Sequence, residues 1–177
     1  TERTWEIAQY QDNLPNPFVL DSTLARRIWY PQSNLSVVYN AGWNLVGLPL
    51  SVDDNSYQTQ FSDAVSGTLY GYNLVYNEET YLDHGRGYWL MINNNSTNIF
   101  TGNYIAELNI SLNEGWNLVA GLSSSVELVN IIDVSEILIE GTLFGFDVVY
   151  QESELLSVGK GYWVKANSAG NISLDLE

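Results

Sequence analysis

The chain contains two copies of one sequence pattern, and this repeat constrains its fold more than any other feature. The string GWNLV at residues 42–46 recurs at residues 115–119, and GYW at residues 87–89 recurs at residues 161–163. Residues 67–89 align without a gap to residues 141–163, and twelve of these twenty-three positions are identical. We therefore expect two similar structural units in tandem.

Each copy has the composition of short β-strands. Runs rich in Tyr, Trp, Val, Ile, Thr and Leu are bounded by Gly, Asn, Asp and Ser, which is typical of strands separated by turns. In the first copy we predict strands at residues 37–39, 43–48, 68–72, 75–78, 88–92 and 99–100. Tight turns are expected at 73–74 and 147–148, and short helices at 53–62 and 126–132.

These elements predict an all-β fold of two tandem, pseudo-symmetric lobes, each a small β-barrel or β-sandwich with one short helix. The first lobe is expected at 36–105 and the second at 106–177. Residues 1–35 have no counterpart in the repeat and form a lead, either an edge strand of the first lobe or a linker. Within this lead, residues 26–30 have the pattern of a strand.

The two copies differ by one inserted residue. Val46-Gly47-Leu48 becomes Val119-Ala120-Gly121-Leu122 in the second copy, while the later spacings agree. One extra residue between paired segments is typical of a β-bulge. We therefore predict a bulge near Ala120 and Gly121.

Composition excludes several classes of partner. With 177 residues, 45% of them hydrophobic and 13% aromatic, the chain has the material for a folded core. Six Lys and Arg face 21 Asp and Glu, a net charge of −15, which argues against nucleic acids and anionic membrane surfaces. The sequence contains no run of about 20 apolar residues, so membrane insertion is not expected. The chain does not begin with Met, and we expect it to be a piece of a longer protein.

Catalytic and metal-binding patterns are also missing from the sequence. There is no Cys, and His84 is the only His. A transition-metal site or a Ser-His-acid triad therefore lacks a conventional second member. We predict a protein that is not an enzyme and that needs no cofactor or metal.

The motif Gly-cation-Gly occurs once in each copy, as Gly85-Arg86-Gly87 and Gly159-Lys160-Gly161. We interpret it as a turn that needs positive φ. Its cation is expected to lie over an aromatic ring or to pair with a nearby acid.

The aromatic residues of each copy supply the candidate binding site. Adjacent strand residues point to opposite faces, so Tyr88 and Tyr162 are predicted to face the core. Trp89 and Trp163 are then exposed, unless the other lobe or the lead covers them. Trp43 and Trp116 are predicted to anchor the core.

Four tyrosines of the first copy have apolar counterparts in the second. Tyr57, Tyr70, Tyr72 and Tyr81 correspond to Ile131, Phe144, Phe146 and Leu155. An exposed Tyr offers a ring face and a hydroxyl together, which suits sugars. The candidate ligand-binding residues are Trp89, Tyr57, Tyr72, Tyr81 and Trp163.

The strings GWNLVGLPL and GRGYWL, repeated as GWNLVAGL and GKGYWV, resemble a tandem β-repeat module of large secreted or surface proteins of bacteria. The resemblance implies an extracellular or cell-surface, non-catalytic accessory module, joined to other domains of a longer parent protein. Its most plausible ligand is a polysaccharide or cell-surface glycan bound through exposed aromatics. The alternative is a structural spacer, adhesion or assembly module with no small-molecule ligand.

Overall fold

The short aromatic and β-branched runs form strands throughout the part of the chain that a computed structural model describes, residues 32–176. The fold of this part is predominantly β, as predicted. The strand expected at 26–30 lies outside the described residues, as does most of the lead. Residues Ser33–Glu177 form one compact unit.

Two four-stranded antiparallel sheets contain the repeated motifs. The strands of the first sheet are β2 (Gly42–Val46), β4 (Tyr70–Asn73), β5 (Val75–Glu78) and β6 (Tyr88–Ile92). Those of the second sheet are β9 (Gly115–Ala120), β11 (Phe144–Asp147), β12 (Val149–Glu152) and β14 (Gly161–Ala166). The first sheet has the strand order β2-β6-β4-β5, and the second has the order β9-β14-β11-β12.

The register of the two sheets agrees position by position. Trp43 pairs with Met91 in the first sheet, and Trp116 pairs with Lys165 in the second. Tyr70 pairs with Trp89, and Phe144 pairs with Trp163. Equivalent residues of the two copies therefore have equivalent strand partners.

The remaining strands form smaller sheets. β1 (Ser33–Tyr39) pairs with β7 (Ser96–Tyr104), which also pairs with β3 (Leu50–Ser51). β8 (Glu107–Leu112) pairs with β15 (Gly170–Asp175), and β10 (Val126–Glu127) pairs with β13 (Leu155–Leu156). All sheets among residues 32–176 are open, and none closes into a barrel.

Helical structure is shorter than predicted. The segment 53–62 contains one α-helix, α1 (Tyr57–Gln60), and the segment 126–132 contains a 3-10 helix, Leu128–Asn130. The residues directly before α1 are not helical. Instead, Asn55 exchanges hydrogen bonds with the backbone of Leu82. This pairing with a neighbouring extended segment replaces the first turn of the predicted helix.

Each copy has its own hydrophobic core. The core of the first copy contains Tyr39, Leu90 and Phe100, with Tyr88 fully buried among them. That of the second copy contains Leu122, Val164 and Ile172, with Tyr162 in the place equivalent to Tyr88. The prediction that the two tyrosines face the core is confirmed.

The predicted bulge is absent. Residues 115–120 of β9 pair one to one with residues 166–161 of β14, without interruption through Ala120. The Gly47 N–H donates to the Gly159 carbonyl and the Ala120 N–H donates to the Gly85 carbonyl, both at 3.0 Å. Gly47 and Ala120 are therefore equivalent, and the extra residue, Gly121, lies beyond the end of the strand.

Candidate functional site

A third apolar cluster joins the two copies and forms the base of the candidate site. Its buried members are Leu45, Leu118 and Trp163. Four half-buried aromatics pack against them: Tyr72, Trp89, Phe144 and Phe146. The tryptophan face of each sheet is thus covered largely by the other copy. For Trp89 and Trp163, the sequence left open whether they are exposed or covered, and the structure shows them covered.

Two grooves open from this cluster to the solvent. The first groove, about 500 Å³, is lined by Trp43, Tyr70, Tyr76, Trp89, Phe146 and Tyr150. The second groove, about 430 Å³, is lined by Tyr72, Tyr76, Trp116, Phe144, Tyr150 and Trp163. Tyr76 and Tyr150 line both grooves, so the two grooves are neighbours along one aromatic surface.

Both grooves have the same ring geometry. Trp89 contacts Phe146 with ring centroids 4.8 Å apart and planes at 75°, and Tyr72 contacts Trp163 with the same distance and angle. Near-perpendicular rings also meet at Trp43–Trp89, 6.3 Å and 89°, and at Trp116–Trp163, 6.4 Å and 90°. Rings at these angles form the walls and floor of a groove rather than one flat platform.

Trp43 and Trp116 are partly exposed, and the prediction that they anchor the core is wrong. Their exposed fractions are 44% and 39%. The same strand buries the next residue, Asn44 or Asn117, whose side-chain amide donates to two backbone carbonyls of the preceding turn at 2.8 and 3.0 Å. The buried Asn therefore holds the turn, and alternation along the strand directs the preceding Trp outward.

Tyr76 and Tyr150 come from edge strands that are exposed along their whole length. All four residues of β5 and all four of β12 are exposed. Each strand follows a turn whose central residue has positive φ, Leu74 at 62° and Val148 at 65°. The turns lie where they were predicted, and they place Tyr76 and Tyr150 beside the tryptophans of the other copy.

The grooves contain no charged lining residue. Their polar groups are tyrosine hydroxyls and indole N–H groups. The pKa of Tyr150 is raised by burial and by the neighbouring Tyr76, and the nearby Trp163 indole lowers it in part. The Trp163 indole N–H is itself buried and has no hydrogen-bond partner among residues 32–176.

Of the five candidate residues, three lie in the grooves. Trp89 lines the first groove, and Tyr72 and Trp163 line the second. Tyr57 is only 4% exposed, and its hydroxyl accepts a hydrogen bond from the Gly67 N–H at 2.7 Å. Tyr81 is 59% exposed but lines neither groove.

Tyr76 and Tyr150 are missing from the predicted site because the candidate tyrosines were those that the second copy lacks. These two tyrosines are identical in the repeat, and each is followed by a polar residue and preceded by Val. An aromatic residue repeated at the same position of two short strands, with a polar residue directly after it, is the signal that would have identified them.

The Gly-cation-Gly turns lie outside the grooves and have the predicted form. Gly85 and Gly159 have φ of 77° and 72°. Arg86 lies 5.3 Å from the Tyr88 ring centroid and pairs with Asp83 at 3.0 Å and Glu79 at 3.3 Å. Lys160 lies 4.1 Å from the Tyr39 ring centroid, and its ammonium donates to the Val38 carbonyl.

The described residues contain neither a candidate membrane-spanning helix nor a candidate metal-binding cluster. Residues 32–176 contain no helix long and apolar enough to cross a membrane. Within the same range, His, Asp and Glu form no group of three that could hold a metal ion.

The chain matches no protein-family model, no curated protein and no solved structure. The geometry of the two grooves is therefore the basis for its functional interpretation.

Proposed function

We propose that the chain is a non-catalytic, extracellular or cell-surface module that binds neutral polysaccharide in its two aromatic grooves. This proposal is based on the residues that line the two grooves. Six aromatic rings line each groove, none of the lining residues is charged, and Trp43, Tyr76, Trp116 and Tyr150 are open to solvent.

Sugar rings fit such a surface chemically. The apolar C–H face of a pyranose packs on an aromatic ring, while its hydroxyls bond to phenol and indole groups or remain in water. Both grooves are concave and mostly apolar with a few polar groups, as small-ligand sites usually are. Because the rings stand nearly perpendicular, the grooves suit a single glycan chain better than a flat, crystalline polysaccharide surface.

The proposal includes the internal organisation of the module. We interpret the two copies as pseudo-symmetric lobes, 36–105 and 106–177, whose tryptophan faces meet at the cluster around Leu45 and Leu118. The matching registers of the two sheets and the matching ring distances support this interpretation. The lobes contribute jointly to each groove, so the binding surface depends on the duplication.

Affinity electrophoresis against glucans, xylans and mannans tests the proposal. We expect at least one neutral polysaccharide to retard the wild type. The Trp43→Ala and Trp116→Ala variants should each bind about tenfold more weakly or worse, since buried aromatic contacts are typical binding hot spots. Tyr81→Ala is the matched control, because it removes an exposed aromatic outside the grooves. Retardation by none of the polysaccharides, or undiminished binding by the Trp43→Ala/Trp116→Ala protein, contradicts the proposal.

The exposed edges of β5 and β12 favour a second function, assembly with other protein chains. Both strands end their sheets, and their turns expose Leu74, Val75, Val148 and Val149. An apolar exposed edge can pair with a strand of another chain. Sedimentation velocity over a wide range of protein concentration tests this: self-association that Val75→Lys/Val149→Lys abolishes supports assembly, and a concentration-independent monomer contradicts self-assembly.

A further inference from the structure

We infer that one neutral glycan chain spans both grooves and binds in either of its two directions. This inference rests on the proposed function and deepens it. It concerns which single ligand occupies the surface and how that ligand is oriented.

The two grooves are parts of one continuous strip. Tyr76 and Tyr150 line both of them, and each tyrosine contacts a tryptophan of the other copy, Tyr76 with Trp163 at 6.4 Å and Tyr150 with Trp89 at 6.2 Å. A ligand that leaves one groove past these tyrosines enters the other. Trp43 and Trp116 then mark the two ends of the strip.

Exchange of the two copies leaves the strip almost unchanged. The contact of Trp43 with Tyr70, 6.2 Å at 48°, corresponds to that of Trp116 with Phe144, 6.1 Å at 53°. The contact of Tyr72 with Tyr76, 5.3 Å, corresponds to that of Phe146 with Tyr150, 5.4 Å. A glycan chain has a reducing and a non-reducing end, so reversing it on this strip presents it with the same rings in the same order.

Charge decides which glycans can occupy the strip. No charged residue lines either groove, and the whole protein has a net charge of −15. A polyanionic glycan would meet repulsion with no compensating cation in the grooves. The occupant is therefore a neutral chain.

Two hydroxyls distinguish the ends of the strip. Tyr70 and Tyr72 of the first copy correspond to Phe144 and Phe146 of the second. Each groove contains one of these hydroxyls, Tyr70 in the first and Tyr72 in the second, so the two binding directions differ by about one hydrogen bond. One hydrogen bond changes an equilibrium by up to about tenfold. Both directions should be populated in the wild type, with a ratio within about tenfold.

A spin-labelled ligand tests the inference. The probe is a neutral β-1,4-linked hexasaccharide of the retained class, with a nitroxide on its reducing end. We expect a stoichiometry of one hexasaccharide per protein by calorimetry. The nitroxide should broaden the indole N–H signals of both Trp43 and Trp116, relative to the reduced, diamagnetic label.

The Tyr70→Phe/Tyr72→Phe variant makes the two ends chemically alike and should equalise the two broadenings. Broadening of one tryptophan alone, of neither, or a stoichiometry of two overturns the inference while the proposed function stands. Absence of any binding by the hexasaccharide and by the parent polysaccharide overturns both.

Discussion

Gly47 and Ala120 occupy equivalent positions in the two copies and pack directly against each other. A Cβ atom added at Gly47 would lie 2.3 Å from the Ala120 Cβ and 3.3 Å from the Lys160 carbonyl oxygen. The close approach of the two copies therefore leaves room for one methyl group at this contact. The two copies therefore cannot both have Ala at this position.

Gly47→Ala should lower the free energy of unfolding by about 1–3 kcal/mol, since overpacking forces the two strands apart. Gly47→Ala/Ala120→Gly moves the methyl group to the other copy and should recover most of that loss. Urea denaturation of both proteins, with Ala120→Gly as the control, measures the coupling. A Gly47→Ala protein as stable as the wild type would show that the copies are not in contact at this point.

Burial of Tyr88 in the core of the first copy should make the protein less stable at alkaline pH. Its hydroxyl accepts a hydrogen bond from the Asp83 N–H at 2.9 Å, and burial raises the pKa of Tyr88 to about 12. The folded protein therefore retains this proton at pH values where the unfolded chain, with a pKa near 10, releases it. The resulting stabilisation is complete below pH 10 and is lost as the pH rises to about 12.

The wild type should lose about 2–3 kcal/mol more unfolding free energy between pH 10 and 12 than Tyr88→Phe. Tyr81→Phe, at an exposed tyrosine, should behave like the wild type. Denaturant titrations at a series of pH values measure these differences. Parallel pH curves for the wild type and Tyr88→Phe would contradict the assigned role of burial.

At the scale of elements, strands were predicted more accurately than helices. Residues 75–78 and 88–92 are strands with the predicted bounds, because their Val, Ile, Tyr and Trp residues favour extended backbone. The helix predicted at 53–62 has only four residues, because the segment before it forms other hydrogen bonds: Asn55 pairs with the Leu82 backbone, and Asp54 accepts from the Ser56 N–H and the Thr59 hydroxyl. Such local bonds compete with helix formation.

The turn after β11 stores backbone strain. Val148 has φ of 65° and is 77% exposed, and a β-branched residue in the left-handed region costs about 1–2 kcal/mol. Val148→Asn should therefore raise the unfolding free energy by about 1 kcal/mol, because Asn tolerates this conformation. Val134→Asn is the control, an exposed valine with ordinary φ. Thermal unfolding measures both variants, and an equal effect of the two would exclude relief of strain.

At the scale of the whole molecule, the sequence predicted the two copies but not the surface between them. Strand alternation placed Tyr88 and Trp89 on opposite faces, yet it could not show that the face of Trp89 packs on the other copy. Trp43 was wrongly predicted to anchor the core for the same reason, because strand alternation does not show which part of a face is covered. Leu45, two residues further along the same face of β2, is buried in the shared cluster, whereas Trp43, at the start of the strand, is partly exposed.

The aromatic content of the chain thus has two uses. Trp163 packs with Leu45 and Leu118 in the buried contact between the copies, and this use is structural. Trp43, Trp116, Tyr76 and Tyr150 extend the same surface into solvent, and this part is available to a ligand. Under the proposed function, only the second group should respond strongly to an added glycan.

The most direct test is ¹⁹F NMR of the protein labelled with 5-fluorotryptophan, titrated with the neutral polysaccharide that retards it in electrophoresis. The six tryptophans are assigned by single Trp→Phe substitutions. We expect the chemical shifts of Trp43 and Trp116 to change with added polysaccharide until they saturate. The dissociation constant fitted to these shifts should equal the one obtained by calorimetry. Saturable binding that leaves both of these signals unmoved would contradict the proposed function.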